Sequence, residues 1–308
     1  MKIIIELPTW LGDTVMATPA IQNIIDYFNN PDITLVGSSV AISALANHPQ
    51  ISKTYVLEKK YFSFYNAISG YGNFDIFFSF RGSFRSKFLK FFVSAQRKYQ
   101  FNNKNYNNCH QVEKYNSFIN DSLNINLSAK KLKIYKKEKK INKKNRLLGI
   151  NPGATYGSAK RWYPKEFAEV AIALSNDYDI LIFGGAAEVD MANEIEYFLT
   201  KKNINNFSNL AGKTSIQDLI SYVSYLDLFV SSDSGPMHLA AAFQVPTVSI
   251  FGPTKASETS QWMNEKSVVV KKNLDCQPCM RRTCPLNHHK CMKQIGVSEI
   301  LSAVKTFN

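Results

Sequence analysis

Six consecutive residues, Asp233-Ser234-Gly235-Pro236-Met237-His238, follow an apolar run at 226–231 and precede a stretch of small residues, the layout of a strand ending where a helix begins. Free amides at a helix start and the positive end of its dipole suit a phosphate, and Gly235 lets backbone come close to one. The plainer reading is that Ser234 or Asp233 only caps the helix. A second concentration, Asn-Pro-Gly-Ala-Thr-Tyr-Gly-Ser-Ala-Lys-Arg-Trp at 151–162, also follows a strand-like run. Its glycines, hydroxyls and two closing cations are what a loop wrapping a diphosphate needs. A glycine loop with a surface lysine is the alternative, and the presence of both stretches in one half of the chain weighs against it. Gly-x-Gly-x-x-Gly and Gly-x-x-x-x-Gly-Lys-Ser/Thr are absent, so dinucleotide and P-loop readings lose their main support.

Cys276, Cys279, Cys284 and Cys291 enclose His288 and His289 and have the ligand count of a structural zinc site; reduced thiols and disulfides remain open. Five cysteines in all are too few for a disulfide scaffold of this length, and Cys109 stands isolated. The net charge of +13 invites a nucleic-acid reading, yet ten basic residues against Glu138 alone lie within 130–146. That charge is local and no nucleic-acid motif accompanies it, so no nucleic-acid partner is expected. Between Asp75 and Glu113 there is no carboxylate, while Arg81, Arg85, Lys87, Lys90, Arg97, Lys98 and Lys104 interleave with Phe84, Phe88, Phe91 and Phe92. This pattern suits a polyanion or an anionic bilayer, or else a solvated helix face.

The elements that must position these residues repeat. In the first half, 2–7 reads as a buried strand, 8–13 as a strand-to-helix turn and 14–28 as a helix, with strands at 33–36, 54–57 and 75–80. Residues 136–145 hold one apolar residue in ten and cannot pack a core, which puts a domain boundary there, giving domains 1–145 and 146–308. The pattern restarts with strands at 147–150, 179–183, 226–231 and 247–251 and helices at 165–175, 188–200 and 215–223. The length of 308 residues accommodates two such domains. Strand-turn-helix repetition in both predicts an α/β protein of two Rossmann-like domains facing each other across a cleft. No apolar run is long enough for a membrane span or a signal peptide, so a cytoplasmic protein is expected.

Leu-Pro-Thr-Trp-Leu-Gly-Asp-Thr-Val-Met from residue 7, the Asn-Pro-Gly-Ala…Lys-Arg-Trp loop, Asp-Ser-Gly-Pro-Met-His-Leu-Ala-Ala-Ala and Phe251-Gly252-Pro253-Thr254 together resemble the bacterial lipopolysaccharide heptosyltransferases. Pro-x-Trp-Leu-Gly-Asp-x-Val-Met is similar to heptosyltransferase II more than to heptosyltransferase I, and the resemblance is weakest over 55–146. It implies an inverting GT-B glycosyltransferase that moves heptose from ADP-heptose to the inner heptose of a lipid A core, at the inner face of the inner membrane. A heptosyltransferase I-type transfer to Kdo and a nucleotide-sugar epimerase of the same architecture are the alternatives. By the same resemblance Asp13 is the catalytic base, although it is also placed to cap the following helix, whose dipole favours its ionised form. Lys160 offsets charge on the departing diphosphate. Thr155 and the Ser234–His238 turn donate to phosphate, Asp233 serves sugar or phosphate loop, and Glu188 meets the ribose unless it is only the first residue of a surface helix. Arg81, Arg85 and Lys87 fall where an anionic acceptor would be met. No carboxylate pair for a divalent ion is part of the pattern, so no catalytic cofactor is expected, only the possible zinc.

Overall fold

The computed structural model describes residues 1–57, 72–138 and 145–307. The chain divides into two compact units, Met1–Tyr135 and Lys136–Asn308. Most of the basic stretch expected at the boundary, 139–144, lies outside the described residues.

In the first unit β1 (Lys2–Glu6), β2 (Asp32–Gly37), β3 (Ile51–Val56), β4 (Phe74–Ser79) and β5 (Ala95–Gln100) form one parallel sheet in the order β3-β2-β1-β4-β5. Ile3, Ile4 and Ile5 are all fully buried, as are Phe77 and Phe78, because helices cover both faces of the central strands. That double burial is why the central strands read as continuous apolar runs. The edge strand β5, Ala-Gln-Arg-Lys-Tyr-Gln, carries no such run and is not legible as a strand in the sequence.

In the second unit β6 (Arg146–Asn151), β7 (Tyr178–Ile182), β8 (Phe207–Asn209), β9 (Leu228–Ser232), β10 (Thr247–Phe251) and β11 (Ser267–Lys271) run parallel in the order β11-β10-β9-β6-β7-β8. Each sheet therefore winds outward from its first strand and then returns to that strand's other side. The order reverses between β1 and β4 in one unit and between β6 and β9 in the other. Loops leaving the carboxyl ends of two strands at such a reversal part in opposite directions and leave a crevice between them. Both candidate phosphate loops leave the reversal of the second unit, one after β6 and one after β9. Asp13 and Arg81 follow β1 and β4 of the first.

The helix expected over 14–28 is two helices, Leu11–Met16 and Thr18–Tyr27. Pro19 has no N–H to continue the first, and the chain restarts at Ala17 with the proline in the first turn, where a missing donor costs nothing. Among the described residues no helix is long and apolar enough to cross a membrane.

Candidate active site

β6 and β9 pair with Asn151 opposite Ser231, so their last residues and the loops beyond them are neighbours. The buried Asn151 amide donates to Gly153 O at 3.2 Å and to Ser234 Oγ at 3.0 Å, and Ser232 Oγ donates to Pro152 O at 3.1 Å. These bonds stitch the two loops together. Sequence reasoning quoted Asn151 only as part of a motif and passed over Ser232. Their signal is position, as polar residues at the end of otherwise apolar strands.

Helix Gly235–Ala242 begins after Ser234, but Ser234 makes no cap bond, since its hydroxyl accepts from Asn151 instead. The capping reading of the hexapeptide is thereby corrected. Pro236 has no N–H, and the side chains of Met237 and His238 are buried. The Met237 N–H donates to Ser234 O at 3.2 Å, so what this turn can offer an anion is the backbone of Gly235, with the helix dipole behind it.

Asp233 is 3% exposed and its Oδ2 receives two partners at 2.5 Å, the Lys160 ammonium and the Thr254 hydroxyl. One carboxylate oxygen thus joins three loops, those after β6, β9 and β10. Lys160 also lies 4.8 Å from the centre of the Tyr156 ring, a cation–π contact. Thr254, quoted with Phe-Gly-Pro-Thr but given no role from sequence, is the third member of this set. A cavity of about 360 Å³ opens beyond it, lined by Lys255, Lys271 and Lys272 among others. Lys255 and Lys272 there are paired with Glu258 and Glu299.

Thr155 is exposed on the same loop. Glu188 is not the start of a surface helix as one reading had it: it is 8% exposed, in a short turn ahead of helix Val189–Lys201. Its Oε2 accepts from the Gly185 N–H at 2.7 Å, and a Cβ at Gly153 would fall 2.2 Å from its Cδ. Glu188 therefore lies directly against the first phosphate-type loop, and Gly153 is the residue that lets it.

Cys276, Cys279, Cys284 and Cys291 line one small cavity of about 20 Å³ together with His288, His289, Ala159 and Pro253. All four are free thiols. Burial first, then the three neighbouring cysteines, push the Cys291 thiol up to about 11, while the backbone N–H of His289 draws the Cys284 thiol down. Four soft donors around one space have the chemistry of a zinc site. Among the described residues, however, no three such side chains are gathered into a closed ligand set. The segment is bolted to the 151–162 loop: Tyr156 Oη donates to Met280 O at 2.8 Å, Ala159 N–H donates to Arg282 O at 3.0 Å, and Arg282 stacks 5.5 Å from the Tyr156 ring.

In the first unit Asp13 is the third residue of helix Leu11–Met16, whose N-cap is Trp10. It is not the cap, which corrects the second role open to it. It lies half-buried beside Tyr115, whose phenol is held far above its ordinary range by burial and then by the Asp13 charge. Arg81 donates to the buried Glu6 at 3.4 Å, and Ser79 and Ser86 donate to the same carboxylate at 2.5 and 2.9 Å. Burial raises the Glu6 carboxyl despite these partners, with the Arg85 charge also opposing it. Arg81 thus serves Glu6 inside the unit, Arg85 is half-buried, and of the three acceptor candidates only Lys87 is exposed.

A family model for glycosyltransferase family 9 (heptosyltransferase) matches residues 70–290. Lipooligosaccharide heptosyltransferase 2 of Campylobacter jejuni serotype O:2 is 43% identical, over 99% of this chain and 98% of its own length. The enzyme of the same name in Haemophilus influenzae is 24% identical over 88% of each chain. Among solved structures, E. coli ADP-heptose LPS heptosyltransferase II superposes with a TM-score of 0.83 at 20% identity, covering 99% of this chain and 98% of that one. A glycosyl transferase family 9 protein from Veillonella parvula gives 0.82 at 20% identity, covering 99% and 96%. The fold is GT-B, as the sequence led us to expect.

Gly157 packs so closely on the cysteine segment that a Cβ there would stand 2.3 Å from Arg282 O, a backbone atom that cannot swing aside. Gly157→Ala should therefore destabilise the protein by about 1–3 kcal/mol, the usual cost of overpacking. An unchanged denaturation midpoint would show that the segment is not held against this loop.

Proposed function

The chain belongs to glycosyltransferase family 9, the heptosyltransferases, and from that membership we propose that it transfers L-glycero-D-manno-heptose from ADP-heptose, with inversion, to the inner heptose of a lipopolysaccharide or lipooligosaccharide core. Full-length similarity to a lipooligosaccharide heptosyltransferase 2 supports the donor and the acceptor class. The observation that carries the chemistry is the buried Lys160–Asp233–Thr254 set beside the start of helix Gly235–Ala242.

In this reading the acceptor hydroxyl oxygen attacks the anomeric carbon from the face opposite the diphosphate. The bond from that carbon to the β-phosphate oxygen breaks, and its electron pair leaves with ADP. Asp13 takes the hydroxyl proton. Lys160 and the Gly235 amide at the start of helix Gly235–Ala242 meet the charge that grows on the departing oxygen, where preorganised donors are worth most. Thr155 adds a hydroxyl, and Glu188, set against the loop by Gly153, is placed for the ribose. Asp233 orients Lys160 through an ion pair rather than reacting itself.

The exposed side of helix Phe84–Phe92 is the contact we assign to an anionic bilayer. Phe84 and Phe91 are 78% and 77% exposed, Lys87 lies between them on the same face, and Ser86 and Leu89 are buried on the other. Aromatic rings that enter the headgroup layer and a lysine that stays at its surface are the elements of interfacial binding. Such a contact would hold the enzyme where a lipid-linked acceptor is presented. We also assign a structural zinc to the four thiols, with His289 outside the ligand set because both of its ring nitrogens are engaged elsewhere.

With purified protein, ADP release should require both ADP-heptose and a heptose-bearing acceptor. Lys160→Ala should lower kcat by about 10²–10³. Asp13→Asn should lower it by roughly 10²–10⁴ with donor affinity little changed; near-native turnover in that variant removes Asp13 from the mechanism. Replacing Phe84 and Phe91 together with serine should release the protein from vesicles rich in anionic lipid while leaving turnover on a soluble acceptor intact, and undiminished vesicle binding would reject the assigned face. Metal analysis should find about one zinc per chain, released by a chelator with a fall in Tm; a metal-free native protein of the same Tm overturns the zinc assignment.

A further inference from the structure

Lys160 can act on a diphosphate only from where its backbone is held, and the residue before it is held by the cysteine-rich segment. Ala159 donates its N–H to Arg282 O at 3.0 Å, and its carbonyl lies 3.0 Å from His289 Nε2. Both backbone groups of Ala159 are thereby taken. A carbonyl only accepts, so the chemistry of this contact assigns a hydrogen to Nε2. The other ring nitrogen, Nδ1, is 2.9 Å from Tyr163 Oη. One imidazole thus spans from Ala159 to Tyr163, bracketing Lys160 and ending just ahead of helix Pro164–Leu174. His289 is itself fixed from behind: its backbone is left-handed (φ 49°), and its N–H donates to Cys284 Sγ at 3.4 Å.

We propose that His289 is a positioning residue for Lys160, setting through the Ser158–Lys160 turn the place where the ammonium meets the departing diphosphate. This rests on the role of Lys160 given above. A histidine that merely stabilised the fold would lower Tm without its effect on rate depending on Lys160. A positioning histidine has no lysine to position once Lys160 is gone, and a double-mutant cycle separates the two.

The experiment is steady-state kinetics on His289→Ala, His289→Gln, Tyr163→Phe, Lys160→Ala and the His289→Ala/Lys160→Ala double variant, with Tm measured for each. His289→Ala should lose about 10–100-fold in kcat, the scale of a misplacement near 1 Å, with the KM for ADP-heptose within about threefold. Glutamine, whose side-chain N–H can reach the Ala159 carbonyl, should restore most of that loss. The double variant should match Lys160→Ala alone within about twofold. Near-native kcat in His289→Ala, no rescue by glutamine, or independent losses that multiply in the double variant would each overturn the proposal. If His289→Ala does not fold, Tyr163→Phe, which removes the partner of Nδ1, takes its place: alone it should lower kcat, combined with Lys160→Ala it should add nothing, and no loss alone or multiplying losses together overturn the proposal equally. Full turnover in Lys160→Ala would instead remove the reading of Lys160, and this inference with it.

Discussion

One buried carboxylate organises the second unit. A charge as deeply enclosed as that of Asp233 is tolerated only when paired and hydrogen-bonded, and Lys160 and Thr254 meet that requirement on a single oxygen. The consequence is geometric. The three loops that leave β6, β9 and β10 are tied at one point, and a lysine with four rotatable bonds is restricted to one place. Such a pair contributes little net stability against a well-packed apolar substitute, but removing either partner leaves the other stranded. Its value lies in holding a cation beside a helix N-terminus without the reorganisation that water would demand.

What was legible in the sequence follows from this arrangement. Strand ends at a topological reversal are where an α/β sheet exposes backbone to a ligand, so the residues there must be glycine, small hydroxylated or charged. They stand out against the apolar runs that precede them, and the loops at 151–162 and 233–238 were found that way. The central strands were legible for the related reason that both of their faces are covered. The edge strand β5 was not, because none of its residues is fully buried and its composition follows that of a surface. Asn151, Ser232 and Thr254 were not singled out because their roles are pairwise. A hydroxyl's partner 21 residues away, as for Thr254 and Asp233, leaves no trace in local spacing.

Charge was the less reliable guide in the first unit. Seven cations without a carboxylate between Asp75 and Glu113 read as one surface, yet Arg81 turns toward Glu6, a carboxylate on β1 far away in sequence, and the Arg85 charge is felt there too. A window free of acidic residues says nothing about acids brought in by a neighbouring strand. Exposure separates the two sets: Glu6 keeps the cations near the end of β4, while Lys87 projects beside Phe84 and Phe91. The exposed aromatics are the firmer signal, because large rings nearly fully in water are costly to keep without a partner, whereas exposed lysines are ordinary.

The cysteine-rich segment adds a constraint that motif reading missed. It lies at 276–291, far in sequence from the loops at 151–162 and 233–238. Yet its backbone takes the Ala159 N–H, its histidine takes the Ala159 carbonyl, and Arg282 stacks on the same tyrosine ring as Lys160. A diphosphate entering beside Asp233 would bring negative charge to a place that already holds one, so a single lysine shared with Asp233 is a thin counterweight. Arg282, exposed and 5.5 Å from the Tyr156 ring, brings a second cation to that ring without burying one. Rigidity has to come with it, because a loop of glycines and small residues has little side-chain packing of its own to resist displacement. Clamping that loop from outside the sheet lets it keep the small residues that phosphate approach requires and still hold Lys160 in one position.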